Sequence, residues 1–164
     1  MSGRSDRRRG LLPWVGLLGR LVVGGVWVWA GALKVGDPAA SVAAVRGYQL
    51  LPAGAAETVG RVLPTLELVV GACLVLGLLT RGVALVSVLL QLAFIVGIAS
   101  VWARGIAIDC GCFGDGGPDP DAFSAYPWEI ARDVGLVLVS ALLVWLRRTP
   151  ASVDALLFPE RGGS

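Results

Sequence analysis

Apolar residues in this chain come in long runs. Four stand out, at positions 11–33, 62–79, 82–103 and 128–146. A helix needs about 20 apolar residues to cross the hydrocarbon of a bilayer, and each run meets that length in whole or in part. The third run carries no charge. The first is interrupted by Arg20, the second by Pro64 and Glu67, and the fourth carries Glu129, Arg132 and Asp133 in its first turns. The pattern predicts an all-α integral membrane protein, a four-helix bundle. Gly, Ala and Val crowd the runs. Ala93 with Gly97, and Ala99 with Ala103, form small pairs at four-residue spacing, which predict close helix packing.

Basic residues set the expected orientation, because they resist translocation. With the N-terminus in the cytoplasm, Arg4, Arg7, Arg8, Arg9, Arg20, Arg81, Arg147, Arg148 and Arg161 lie inside. Lys34, Arg46, Arg61, Arg104 and Arg132 then lie outside. Both termini are expected in the cytoplasm of a multi-pass cell-membrane protein. Trp102 and Trp128 would mark the outer interface and Trp145 the inner one. The first run has a basic start and an Ala30-Gly31-Ala32 triplet like a signal-peptide cleavage site, but its apolar stretch is longer than a signal core. The chain divides into a basic N-terminus (1–10), a transmembrane domain (11–147) and a cytoplasmic tail (148–164). Outer loops are expected at 34–61 and 104–127. Asp37-Pro38 reads as a turn or helix start, and 39–51 as a short helix on the membrane surface.

Composition narrows the chemistry. Hydrophobic residues make up 55% and charged residues 16% of 164 residues. Soluble domains carry about 25% charge, so a soluble globular domain is not expected, and this apolar composition rules out a disordered chain. A net charge of +2 on scattered arginines gives no footprint for nucleic acid. Histidine is absent, which removes Ser-His and Cys-His catalysis and every histidine-ligated metal. No metal site is expected.

Cys110-Gly111-Cys112 is the most informative element. The charge rule puts it in an outer loop, where disulfides are permitted. Gly111 lowers the steric cost of a turn between the cysteines. A ring this small closes almost no chain, so it would be a poor staple, and strain would make it easily reduced. Reversible dithiol–disulfide exchange is therefore the expected role. The alternatives are a passive local disulfide, simple loop thiols, or a two-thiolate copper(I) site. Cys73, inside the second run, reads as a small buried hydrophobe, the alternative being an intramembrane third thiol.

A carboxylate at the depth of Glu67 must be protonated, paired or turned to a polar cavity. It is either a proton acceptor for thiol chemistry or a structural hydrogen-bonding group. Arg132 would lower a thiolate pKa if it faced the cysteines; otherwise it is an interfacial ion-pair partner of Glu129 and Asp133. Arg20 and Arg61 are expected to snorkel to opposite surfaces.

These residues resemble the MauE family, within the wider DoxX-like group of small four-helix membrane proteins. The match runs through Ala30-Gly31-Ala32-Leu33-Lys34, Asp37-Pro38, Tyr48-Gln49-Leu50-Leu51-Pro52 and Leu63-Pro64-Thr65-Leu66-Glu67. It ends with Arg104-Gly105 and Cys110-Gly111-Cys112-Phe113-Gly114. The resemblance implies a DoxX-like fold and a place in methylamine utilisation, in maturation of the disulfide-rich small subunit of methylamine dehydrogenase. It also implies quinone-coupled thiol or sulfur redox. Cys110 and Cys112 would be the redox pair, with Lys34 and Glu67 as further family-like positions.

The expected function is thiol–disulfide exchange with an extracytoplasmic thioredoxin-like protein. A bilayer quinone is the simplest electron sink, near Glu67, Trp27 and Trp102. The rivals are a non-enzymatic membrane chaperone or assembly subunit, whose cysteines form a local clamp, and a small transporter using Glu67.

Overall fold

A computed structural model describes residues 3–112 and 116–146. Arg147 and the expected cytoplasmic tail (148–164), with Arg148 and Arg161, lie outside the described residues, as do Phe113, Gly114 and Asp115. Five helices follow one another: α1 (Gly3–Val35), α2 (Pro38–Gly47), α3 (Ala53–Leu76), α4 (Thr80–Ala103) and α5 (Ala122–Trp145). Among the described residues there is no strand, only an isolated bridge between Ile108 and Pro118.

Local chemistry explains the boundaries. Asp37 caps α2, its carboxylate accepting from the Ala40 N–H at 2.9 Å, with Pro38 in the first turn where its missing N–H does no harm. This is the helix start that Asp37-Pro38 predicts. The helix α3 begins at Ala53, well before the apolar run at 62, because 53–61 is rich in alanine and carries an i,i+4 pair, Arg61 to Glu57 at 2.7 Å. It stops at Gly77 (φ 71°), where the Leu78 N–H reaches back to Cys73 O at 2.9 Å.

The polarity of the structure is inverted. Arg20, Glu67, Ser87, Gln91, Asp133 and Ser140 are buried, while Trp14, Leu18, Trp29, Val69, Leu89, Val96, Leu138 and Trp145 are exposed. In water this arrangement would forfeit the hydrophobic effect; in lipid it hides the polar groups and solvates the apolar ones. Three helical stretches, Trp14–Val35, Ala53–Leu76 and Thr80–Ala103, are long and apolar enough to cross a membrane. The helix α5 has the same length as α3 and α4 but carries Glu129, Arg132 and Asp133.

The helix α1 packs along α3 and α4 along α5, and α2 lies across the first turns of α3. The α1–α3 seam is glycine-lined. A Cβ added at Gly31 would lie 2.8 Å from Pro64 O, and one at Gly71 2.7 Å from Val28 N. The pairs expected to pack on α4 do not make such a seam: Ala93, Ala99 and Ala103 are exposed, and Gly97 meets the Tyr48 ring instead. The cause is rotational, since the face of α4 that turns inward carries Ser87 and Gln91.

Arg20 does not snorkel. It is fully buried and donates to Leu74 O at 2.9 Å and Val75 O at 3.0 Å. These are carbonyls of the last turn of α3, where backbone donors run short (Leu74 O also accepts from the Gly77 N–H at 3.2 Å), and a cation at a helix C-terminus also favours the dipole. Arg81 does the same for α5, donating to Val144 O at 3.0 Å. Arg61 stays at the surface, as expected.

Two outcomes follow for stability. Replacing Gly60, whose Cβ would sit 2.5 Å from Val42 Cα, by Val should force α2 off α3 and lower the thermal midpoint in detergent by an amount worth more than ~2 kcal/mol. Arg20→Leu should destabilise by at least ~2 kcal/mol by removing two charged donors from the Leu74 and Val75 carbonyls, whereas Arg61→Leu should be nearly neutral in the same assay.

Candidate functional site

The end of α1, helix α2, the start of α3 and the 104–121 loop gather at one end of the molecule. The loop is pinned at several points. Gly105 (φ 68°) turns the chain out of α4, and the Arg104 guanidinium donates to Tyr48 O. Asp109 N donates to Gly117 O at 2.8 Å and Asp119 N to Ala107 O at 3.2 Å. The buried Tyr126 hydroxyl accepts from Ile108 N at 3.0 Å and faces Ile106 O at 2.8 Å.

The cysteine turn rests on α2. Gly111 (φ 66°) and Gly116 (φ 60°) both face Ala44; an added Cβ would come within 2.8 Å and 2.2 Å of its Cβ. Left-handed backbone and close approach together require glycine at both positions. Asp109 Oδ1 accepts from Gly111 N at 2.7 Å, and the Tyr48 hydroxyl donates to Cys110 O at 2.7 Å. The Cys112 N–H points at Cys110 Sγ at 3.3 Å. The two sulfurs therefore sit on one rigid turn, as free thiols. Both residues are buried, Cys110 at 7% and Cys112 at 6% exposure.

Arg132 does not make Cys110 a thiolate. The Cys110 thiol is pushed far above its ordinary range, first by its hydrogen-bonded neighbour Cys112 and then by burial. Burial likewise holds the Tyr48 phenol protonated. Glu129, near the start of α5, is close enough to Cys110 to interact with it electrostatically.

Two small, partly open cavities adjoin the turn. The upper one lies against α2 and is lined by Ser41, Tyr48, Cys110 and Gly111. The lower one runs into the helices and is lined by Trp27, Glu67, Gln91, Arg132 and Asp133. Lys34, Phe94 and Cys112 line both. Cys110, Cys112, Glu67, Arg132 and Lys34 thus converge on one place, although their positions in the sequence span almost a hundred residues.

Inside, charge is paired. Lys34 Nζ meets Glu67 Oε1 at 2.7 Å, both residues buried, and sits 5.9 Å over the Phe94 ring. Arg132 holds Asp133 Oδ1 at 2.9 Å. A hydrogen-bonded line continues the polarity: Trp27 Nε1 to Ser87 Oγ at 2.7 Å, Ser87 to Ser140 at 3.1 Å, and Ser140 to Gln91 Oε1 at 3.3 Å.

Trp27 therefore lies where an intramembrane site was expected, but Trp102 does not. It packs on Tyr126, with ring centroids 6.3 Å apart, and lines neither cavity. Cys73 is half-buried rather than buried, and it lies in the last turns of α3, at the Arg20 end and away from the other thiols, because α3 begins so early. Gln91 is a site residue the sequence reading missed. Its signal was present: Ser87 and Gln91, four residues apart, put polar side chains on one face of an otherwise apolar helix. Among the described residues no cluster of three metal-binding side chains occurs.

Comparison with known proteins fits this architecture. The chain is 36% identical over 103 residues to the methylamine utilization protein MauE of Methylorubrum extorquens strain AM1. That alignment covers 62% of this chain and 53% of the relative, so the chain spans about half the relative's length. No solved structure matches. The family model for methylamine utilisation protein MauE matches residues 12–146, most of the chain. This membrane protein belongs to the MauE family.

Proposed function

We propose that this protein carries out extracytoplasmic thiol–disulfide exchange through Cys110 and Cys112, serving maturation of a disulfide-rich secreted protein. One observation carries the reading. Two thiols share a single pinned turn, and that turn abuts a charge-lined cavity between membrane helices. The name of the relative ties it to methylamine utilisation, and we extend that setting to this chain. We read α5 as a fourth span, since Val134, Leu138, Leu142 and Trp145 form an exposed apolar face on it. The bundle is then a DoxX-like one. With both termini in the cytoplasm, the cysteine turn is extracytoplasmic.

A thioredoxin-like protein is the partner this chemistry suits. One sulfur forms a mixed disulfide and the other resolves it. Both sulfurs are buried and Cys110 is held protonated, so exchange requires the contacts of Gly111 and Gly116 with Ala44 to loosen. A bilayer quinone is the electron acceptor that suits recycling. It would supply two-electron, two-proton redox chemistry. The rings of Trp27 and Phe94 lining the lower cavity are the surfaces such a group would stack against.

Burial of the thiols also favours a second reading, an assembly subunit whose Cys-Gly-Cys turn is a purely structural clamp. The two separate experimentally. Under the exchange reading, Cys110→Ser or Cys112→Ser abolishes maturation of the secreted partner. One of these variants accumulates a mixed disulfide, visible on non-reducing gels and by mass spectrometry. Under the clamp reading both variants keep activity and trap nothing. In the resting reduced protein, Cys110 should alkylate with iodoacetamide at pH 8 at least ~10-fold more slowly than an unhindered thiol, because its proton is retained. Equal rates would contradict the closed, protonated resting state.

A further inference from the structure

The lower cavity holds more polarity than ion pairing uses. Glu67, Gln91 and Asp133 come from α3, α4 and α5 and are 0%, 3% and 4% exposed. Each presents one buried polar atom that no protein group satisfies: Glu67 Oε2, Gln91 Nε2 and Asp133 Oδ2. All three residues line this cavity. A single buried atom of this kind costs about 1–3 kcal/mol, so three around one space describe a site for something that bonds to them. Two are acceptors and one is a donor. Water, which donates twice and accepts, has the matching complement, and polar cavities of this kind hold ordered water.

The charges around that space balance. Lys34 from α1 holds the other oxygen of Glu67, and Arg132 from α5 holds the other oxygen of Asp133. Glu129 faces Cys110 from the start of α5, with Asp109 in the loop beside it. Tyr48 closes the upper side beyond Cys112. Cys112 is the lining residue that reaches both this polar pocket and the cysteine turn.

We propose that the lower cavity is a hydrated proton site for the cysteine pair, with Asp133 as the first acceptor and Glu67 behind it. The inference rests on the exchange reading and deepens it. Consider the mixed disulfide in which Cys110 is bonded to a partner sulfur. The Cys112 S–H bond breaks and its proton passes through water to Asp133 Oδ2. The Cys112 sulfur bonds to Cys110 Sγ, and the Cys110–partner bond breaks. Its electron pair leaves on the partner sulfur, which takes up a proton. In this closing direction two electrons and two protons pass from the pair to the partner disulfide; oxidation of a secreted dithiol is the same sequence run backwards, with two electrons and two protons passing from the partner to the pair and Asp133 returning the proton to Cys112.

The test uses the full-length protein in lipid nanodiscs with oxidised glutathione as the disulfide probe. Infrared difference spectra are recorded as the pair closes, while thiols are counted in parallel. The expected spectrum shows a carboxyl C=O band that appears and decays with closure. Asp133→Asn removes it, and slows resolution about 100-fold at neutral pH, with recovery as the pH rises. Glu67→Gln shifts the band without abolishing it. Closure of the wild-type pair with no carboxyl band overturns the proton site and leaves the exchange reading standing; this holds even if Asp133→Asn fails to fold. Asp133→Asn resolving at the wild-type rate and pH profile overturns it as well. A pair that never closes with the probe removes both the site and the exchange reading.

Discussion

The buried pair between Lys34 and Glu67 is the constraint on which the functional end depends. It ties the last turn of α1 to the middle of α3 at 2.7 Å. Because α1 stops at that level, the first turns of α3 continue past it and leave a shelf. Helix α2 occupies the shelf, and the cysteine turn rests on α2. A pair like this adds little net stability over a well-packed apolar pair, but loss of one partner leaves an unpaired charge in a medium that cannot solvate it, at a cost of about 3–5 kcal/mol. Its contribution is therefore geometric. It fixes how far α1 reaches, and so where the two cavities meet.

The opposite end uses the same chemistry for a different purpose. Arg20 and Arg81 each donate to carbonyls at the end of a neighbouring helix. Between the two ends runs the line Trp27–Ser87–Ser140–Gln91, which ties α1, α4 and α5 without any net charge. In lipid no hydrophobic force drives helices together, so small-residue contact and hydrogen bonds must do so. The glycine seam of α1 and α3 supplies the first and these polar links the second. The exposed surface is left to apolar side chains.

Much of this was legible in the sequence. The apolar runs mark the long helices because length and lack of charge are sufficient for a span. Cys110-Gly111-Cys112 declares a turn because glycine at that spacing permits the left-handed backbone that is found. The partners of the charges were not legible. Arg20 near a basic terminus reads as a snorkelling residue, and only the position of the α3 C-terminus, set by Gly77, turns it inward. Lys34 and Glu67 were singled out as family-like positions, yet nothing local shows that they touch. The start of α3 was hidden because 53–61 is helical by propensity rather than by hydrophobicity. Gln91 was passed over because an amide adds no charge to an apolar run, although its hydrogen-bonding demand in lipid is nearly as exacting.

The account stands on Cys110 and Cys112 being a reversible couple. The most direct measurement is an equilibrium redox titration of the intact protein in its membrane. Thiols are labelled differentially at each glutathione ratio, and the 104–121 peptide is read by mass spectrometry. The account predicts one two-electron transition, with both cysteines changing together at a potential within reach of thioredoxin-like partners. Two sulfurs that stay thiols across the whole range, or that oxidise independently of each other, would contradict it.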